Sequence, residues 1–235
     1  MLKLEKVSSA YGASQVLWDV DLDITKGEAV ALLGRNGVGK TTLLKTIMGV
    51  QPIRKGFISY DNVVISKHAA HRRAQYGLAY VPQGRGIFPQ LTVEENLLMG
   101  LASLTGREDA KEKTIPDYVF TLFPVLKDML SRKGGNLSGG QQQQLAIGRA
   151  LVTRPRILLL DEPTEGIQPS IVMQIEEALK HVSKELGVAV LLVEQYLDFA
   201  WSFADRYFVM QRGRIIDHGY TAKKDKEEVS RFLSI

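Results

Sequence analysis

Along residues 16–25, apolar Val16, Trp18, Val20, Leu22 and Ile24 alternate with polar Asp19, Asp21, Asp23 and Thr25. A period of two sends successive side chains to opposite faces, so this stretch predicts a half-buried strand. The next run, 29–33, is apolar throughout and stops at Gly34, the pattern of a fully buried strand feeding a turn. Beyond Lys40 the period changes. Leu43, Leu44, Ile47 and Met48 fall on one helical face, and Gly49 is a natural stop. Residues 78–81 predict a short strand ending at Pro82-Gln83. Thr92 and Glu95 have the spacing of a capping box, in which each side chain satisfies a free N–H at a helix start. From about 84 to 155 no strong strand signal occurs, which predicts an α-helical subdomain inserted into an α/β core. Strand patterns resume at 157–160, 188–193, 207–210 and 214–217, and 223–233 predicts a charged amphipathic helix. No repeat or linker interrupts the chain, so a single domain over 1–235 is expected.

Chemistry enters at three places. Gly34-Arg35-Asn36-Gly37-Val38-Gly39-Lys40-Thr41 fits G-x-x-x-x-G-K-[ST], with Thr42 following, and it lies between a predicted strand and a predicted helix. That context makes it a P-loop: backbone N–H groups cradle nucleotide phosphates, Lys40 reaches the β- and γ-phosphates, and the Thr41 hydroxyl holds Mg²⁺. An apolar strand, Ile157-Leu158-Leu159-Leu160, ends in Asp161-Glu162. Two carboxylates at the end of a buried strand need a cation or a polarised water to face. Asp161 suits Mg²⁺, and Glu162 suits the general base for the attacking water. Leu137-Ser138-Gly139-Gly140-Gln141 reads as a turn opening a helix, a second anion-binding end far along the chain from the first. One nucleotide needs only one P-loop, so the second device is best explained as serving a nucleotide held by another subunit.

These segments, in this order, resemble the ATPase cassettes of ABC transporters over nearly the whole chain. The resemblance implies an ABC ATPase core with a mixed sheet and helices, an N-terminal antiparallel β region and an inserted helical subdomain. It implies ATP and Mg²⁺ as cofactors. Tyr11 then occupies the place of an aromatic that stacks on adenine, and Gln83 that of a glutamine sensing Mg²⁺ and the γ-phosphate. Leu137, Ser138, Gly139, Gly140 and Gln141 match the signature that closes on ATP held by the opposite cassette. Two positions depart from the family. Gln195, in Leu192-Val193-Glu194-Gln195, stands where most cassettes have a histidine, and Gln168 stands where an aspartate is usual. Gln195 can still donate an amide hydrogen bond to the γ-phosphate but cannot titrate.

Finer wording narrows the group. Gln83-Gly84-Arg85-Gly86-Ile87-Phe88-Pro89, Thr164-Glu165-Gly166-Ile167-Gln168-Pro169 and Leu192-Val193-Glu194-Gln195 resemble the branched-chain amino acid importer cassettes. The run Gln141 to Gln144 and Gly166-Ile167-Gln168-Pro169 look most like the urea-importer member, from which Gly86 departs. The partners implied are a second, different cassette, two membrane permeases and a periplasmic solute-binding protein acting through them. A homodimer is possible in isolation, and no nucleic acid is expected. The expected place is the cytoplasmic face of the inner membrane. A rival reading, a cassette switch acting on ribosomes or DNA, goes with paired cassettes or a long coiled-coil insertion. Neither fits into 235 residues without a heptad run.

Composition adds little to this. Hydrophobic residues make 45% and charged residues 24%, ordinary for a folded soluble protein. No apolar run approaches the roughly 18 residues of a membrane span. The charged, alternating start (Leu2, Lys3, Leu4, Glu5) argues against a signal peptide. With no cysteine, disulfides and thiolate metal sites are excluded. A net charge of +4 is accounted for by solubility alone.

Overall fold

The computed structural model describes residues 1–104 and 114–234. In chain order it begins with β1 (Leu2–Tyr11), β2 (Ser14–Ile24), β3 (Ala29–Leu33), α1 (Lys40–Met48), β4 (Ile53–Tyr60) and β5 (Val63–Val64). Then follow α2 (Ala70–Gln75), β6 (Leu78–Val81), α3 (Val93–Met99), α4 (Asp117–Leu122), α5 (Pro124–Asp128) and α6 (Gly139–Val152). The chain ends with β7 (Ile157–Asp161), α7 (Pro169–Lys184), β8 (Ala189–Glu194), α8 (Leu197–Phe203), β9 (Arg206–Gln211), β10 (Arg214–Tyr220) and α9 (Lys226–Ser234). Between β6 and β7 the described residues form helices and turns but no named strand, and 105–113 of that stretch lie outside the described residues.

Two sheets organise the molecule. One is antiparallel, in the order β2-β1-β4-β5. The other runs β10-β9-β3-β8-β7-β6, parallel except for the β9–β10 hairpin. Its central strands are continuous apolar runs because both faces are covered. On β3, Ala29, Ala31 and Leu33 face a core shared with α3, α6 and α7, through residues such as Leu97, Leu145 and Leu179. Val30 and Leu32 face the other core, shared with α1 and the antiparallel sheet through Leu43, Ile47, Leu4 and Leu22. β7 and β8 divide in the same alternating way. Each strand therefore ends its register at the same edge, where β3, β7 and β8 deliver the P-loop, Asp161 and Glu194 side by side.

The alternation along β2 fails at one point. Leu17 is fully buried, whereas Trp18 is 39% exposed. Asp19 sits at a φ of +46°, opposite register shifts in β1, so a bulge changes which face the chain presents. After it, Val20, Leu22 and Ile24 point inward as the sequence pattern predicts. β10 runs three residues past its expected end, and the C-terminal helix starts at Lys226, after a 3₁₀ turn over Thr221–Lys223.

The end of the P-loop helix α1 is held by a residue that the sequence pattern gave no reason to single out. Buried Arg73 donates to the carbonyls of Thr46 (2.8 Å) and Ile47 (2.7 Å), and to those of Ser66 (2.8 Å) and His68 (3.0 Å). A guanidinium there satisfies carbonyls that α1 cannot pair internally and complements the negative end of its dipole.

Candidate functional site

The turn between β3 and α1 depends on glycine. Gly39 holds a φ of +115°, and a Cβ there would come within 3.1 Å of Leu17. As the N-cap of α1 it offers no side chain to the first helical turn. The N–H groups of that turn are thus left to an incoming anion, which the helix dipole also favours.

Lys40 is buried and folds back over the loop. Its ammonium donates to Gly34 O (2.7 Å) and Arg35 O (3.0 Å) and pairs with Glu162 Oε1 at 3.1 Å. One position before Glu162, Asp161 accepts the Thr41 hydroxyl at 3.1 Å and the Tyr80 phenol at 3.0 Å. Gln83 donates to Glu162 Oε2 (3.3 Å) and to Glu165 Oε2 (2.9 Å). A cavity of about 320 Å³ is lined by Asn36, Gly37, Gly39, Lys40, Thr41, Thr42, Gln83, Glu162 and Val16. Lys40, Thr41, Gln83 and Glu162, picked from three distant segments, thus surround one space, with Asp161 bonded to its wall. Burial pushes the Asp161 carboxyl above the usual carboxylate range, opposed by hydrogen bonds from Thr41 and Tyr80 and by the Lys40 charge, and assisted by nearby Glu162. The surroundings of Asp161 therefore disfavour its charge, and a cation beside it would relieve that.

A second opening, about 440 Å³, adjoins the first and shares Asn36 with it. Gly34, Arg35, Gln195, Tyr196 and Leu233 complete its lining. Gln195 thus faces the outer side of the P-loop. Tyr11 stands outside the lining of both openings, exposed at the end of β1. Val16, on the same hairpin, is the residue that reaches the P-loop cavity.

The second anion-binding end lies at α6. Ser138 is its N-cap: Oγ accepts Gln141 N–H at 3.3 Å, and Gln141 Oε1 accepts Ser138 N–H at 2.9 Å. This is a capping box, and it leaves the Ser138 O–H hydrogen free of that role. Gly140 is required by a close approach, since a Cβ there would come within 2.9 Å of Ile171 on α7. The guanidinium of Arg85 lies against Gly139 and donates to Gln142 Oε1 at 2.9 Å. Leu137 is buried behind the turn. Gly139 thus lies against Arg85, and Gly140 against α7.

Three participants escaped the sequence reading. Tyr80 was legible as a strand residue, but its bond to Asp161 depends on the pairing of β6 with β7. Burial raises its phenol, which keeps it a hydrogen-bond donor. Arg85 has no local signal of its own, since its contact with α6 comes from the tertiary fold. Glu194 carries a legible signal, since a carboxylate closes the apolar strand β8 just as Asp161 closes β7.

A P-loop after β3, a carboxylate pair at the end of β7 two strands along the same sheet, and a separate glycine-lined helix start, on this two-sheet fold, define an ATP-binding cassette. The sequence pattern of the ABC transporter family matches residues 17–165, and the chain belongs to that family. Over 93% of its length it is 44% identical to the high-affinity branched-chain amino acid transport ATP-binding protein BraG of Pseudomonas aeruginosa, covering 92% of that protein. It is 36% identical, over 93% of its length and 92% of the relative, to the probable branched-chain amino acid transport ATP-binding protein LivF of Archaeoglobus fulgidus. Among solved structures, the dimeric post-hydrolysis state of the cassette MJ0796 bound to ADP and Pi superposes with a TM-score of 0.83. That match has 26% identity and covers 94% of this chain and 99% of that one. The protein is an ATP-binding, ATP-hydrolysing cassette of an ABC transporter.

Proposed function

We propose that this cassette drives solute import, hydrolysing ATP at the cytoplasmic face of the inner membrane. Among the described residues no helix is long and apolar enough to cross a membrane. Membrane contact therefore goes through two permease partners, with a periplasmic solute-binding protein acting on their far side. The second cassette is a different chain that supplies what this one lacks at Gln195. The observation that carries the reading is the convergence of Lys40, Thr41, Gln83 and Glu162 on one cavity, with Asp161 bonded to Thr41 in its wall.

In this reading the phosphates of ATP replace Glu162 as the anion on Lys40. Glu162 is then free to take a proton from the attacking water. Gln195 donates its amide to the γ-phosphate from the outer side of the P-loop, and Tyr11 meets the adenine after the β1–β2 hairpin moves over the site. Mg²⁺ fits the donors present: a hydroxyl at Thr41, a carboxylate at Asp161 and the side-chain oxygen of Gln83, all hard oxygens. Among the described residues no group of three or more His, Asp or Glu side chains is placed to hold a metal. That agrees with an ion held by one carboxylate together with substrate phosphates. When bound, the ion would neutralise charge on the phosphates. Ser138 to Gln141, with Leu137 behind them, present Ser138 O–H and the start of α6 to the nucleotide of the partner cassette.

For the solute, the names of the relatives at 44% and 36% identity favour branched-chain amino acids. They outweigh the wording at Gln141–Gln144 and Gly166–Pro169 that looks like the urea importer. The test is ATPase activity of the cassette assembled with its permeases and solute-binding protein in vesicles. Leucine, isoleucine or valine should stimulate turnover severalfold. Stimulation by urea alone would move the assignment to urea, and stimulation by neither would remove both solutes.

A further inference from the structure

Glu194 is fully buried at the end of β8, and the proposed reaction gives it no part. Its carboxylate is nonetheless the meeting point of two active-site loops. Oε1 accepts the Thr164 hydroxyl at 2.7 Å and the Thr164 N–H at 3.3 Å. Oε2 accepts the Gln195 N–H at 3.2 Å. Thr164 is buried and lies two residues after Glu162. Glu162 is itself held in a left-handed conformation, with a φ of +48°, and donates its N–H to Val193 O at 2.9 Å. The two strand ends are therefore joined twice, once through backbone and once through this side chain.

We propose that Glu194 is a positioning residue: its carboxylate clasps Thr164 to Gln195 and so fixes the base Glu162 relative to the residue that meets the γ-phosphate. The inference rests on the proposed roles of Glu162 and Gln195. A carboxylate suits the place because an ionised carboxyl only accepts, and the groups that reach it, the Thr164 hydroxyl and the N–H groups of Thr164, Gln195 and Tyr196, all donate. Burial pushes the Glu194 carboxyl upward, while the hydrogen bonds from Thr164 and the backbone amides of Gln195 and Tyr196 oppose that shift. Glutamine has the same shape but turns one acceptor into an NH₂ group, which would face an N–H donor. The consequence is kinetic. Loss of the clasp lets two loops drift by a fraction of an ångström, and misplacement on the scale of 1 Å costs about a hundredfold in rate. The phosphate cradle, built on α1 and Lys40, stays as it was.

The test compares wild type, Glu194→Gln, Thr164→Val, Thr164→Ser and Glu162→Gln, each as the full chain assembled with its permeases. Turnover at saturating MgATP, ATP affinity and melting temperature are measured for each. Glu194→Gln is expected to lower kcat at least tenfold while ATP affinity stays within threefold. Thr164→Val, which removes only the hydroxyl donor, should go the same way by a smaller factor, and Thr164→Ser should restore turnover. If Glu194→Gln fails to fold, the Thr164 pair decides. Turnover within twofold of wild type for both Glu194→Gln and Thr164→Val, beside a slow Glu162→Gln, overturns the clasp and leaves the base in place. Parallel loss of kcat, affinity and melting temperature reduces Glu194 to a structural group and also overturns the clasp. Normal turnover in Glu162→Gln overturns both readings.

Discussion

Lys40 and Glu162 are almost completely buried and 3.1 Å apart, so each is the other's counter-charge until a phosphate arrives. A buried ion pair contributes little net stability, but removing one member leaves the other uncompensated. Lys40→Ala is therefore expected to weaken ATP binding at least about a hundredfold, the scale of losing charge-assisted contacts to two phosphates. Titration with a fluorescent ATP analogue checks this. An affinity within threefold of wild type would show that the loop backbone alone holds the nucleotide. Lys40, Thr41, Asp161 and Glu162 were legible as single residues because their types and spacing are dictated by phosphate and metal chemistry. The roles of Tyr80 and Glu194 were not. What they do depends on strand pairing, which brings β6 and β8 beside β7 and has no local signature.

Among the elements, the central strands were the most legible, since burial on both faces writes itself as an unbroken apolar run. β1 and β4 were the least legible. β4 carries a polar stretch, Arg54-Lys55-Gly56, and its outward face gives no clean alternation. The bulge at Asp19 likewise exchanged Leu17 for Trp18 in the core, because one extra residue reverses the faces of a strand. The segment after Gln83 divides its two large apolar residues. Ile87 packs against the helical core, as its own chain can satisfy it. Phe88 remains 43% exposed beneath the Arg149 guanidinium, 5.0 Å from the ring centroid. The backbone of Phe88 is held by buried Asn96, which accepts its N–H (2.8 Å) and donates to its carbonyl (2.9 Å). The ring is therefore presented by a rigid support. Phe88→Ala is expected to weaken assembly with the permeases about tenfold, with melting temperature and basal ATPase nearly unchanged. Copurification from detergent measures the first, and a drop of many degrees in melting temperature would instead make Phe88 a packing residue.

At the scale of the molecule, the proposed pairing gives this chain's P-loop its own nucleotide and the start of α6 the nucleotide of a second cassette. In that proposal Gln195 makes the two sites unequal. Glutamine does not titrate between pH 6 and 8, so turnover at this P-loop should have little pH dependence through position 195. Gln195→His should introduce one, measured as single-site turnover in a complex whose partner base is disabled. An unchanged profile would place position 195 out of reach of the γ-phosphate, and full solute-coupled transport by the homodimer with its permeases would end the case for a different partner. The central claim, hydrolysis by water activated at Glu162, is tested most directly by comparing turnover and ATP affinity in Glu162→Gln and wild type within the assembled transporter. The account predicts turnover slowed by about a hundredfold or more, the scale of a general base, with ATP still bound and closed dimers persisting. Turnover within twofold of wild type would contradict it.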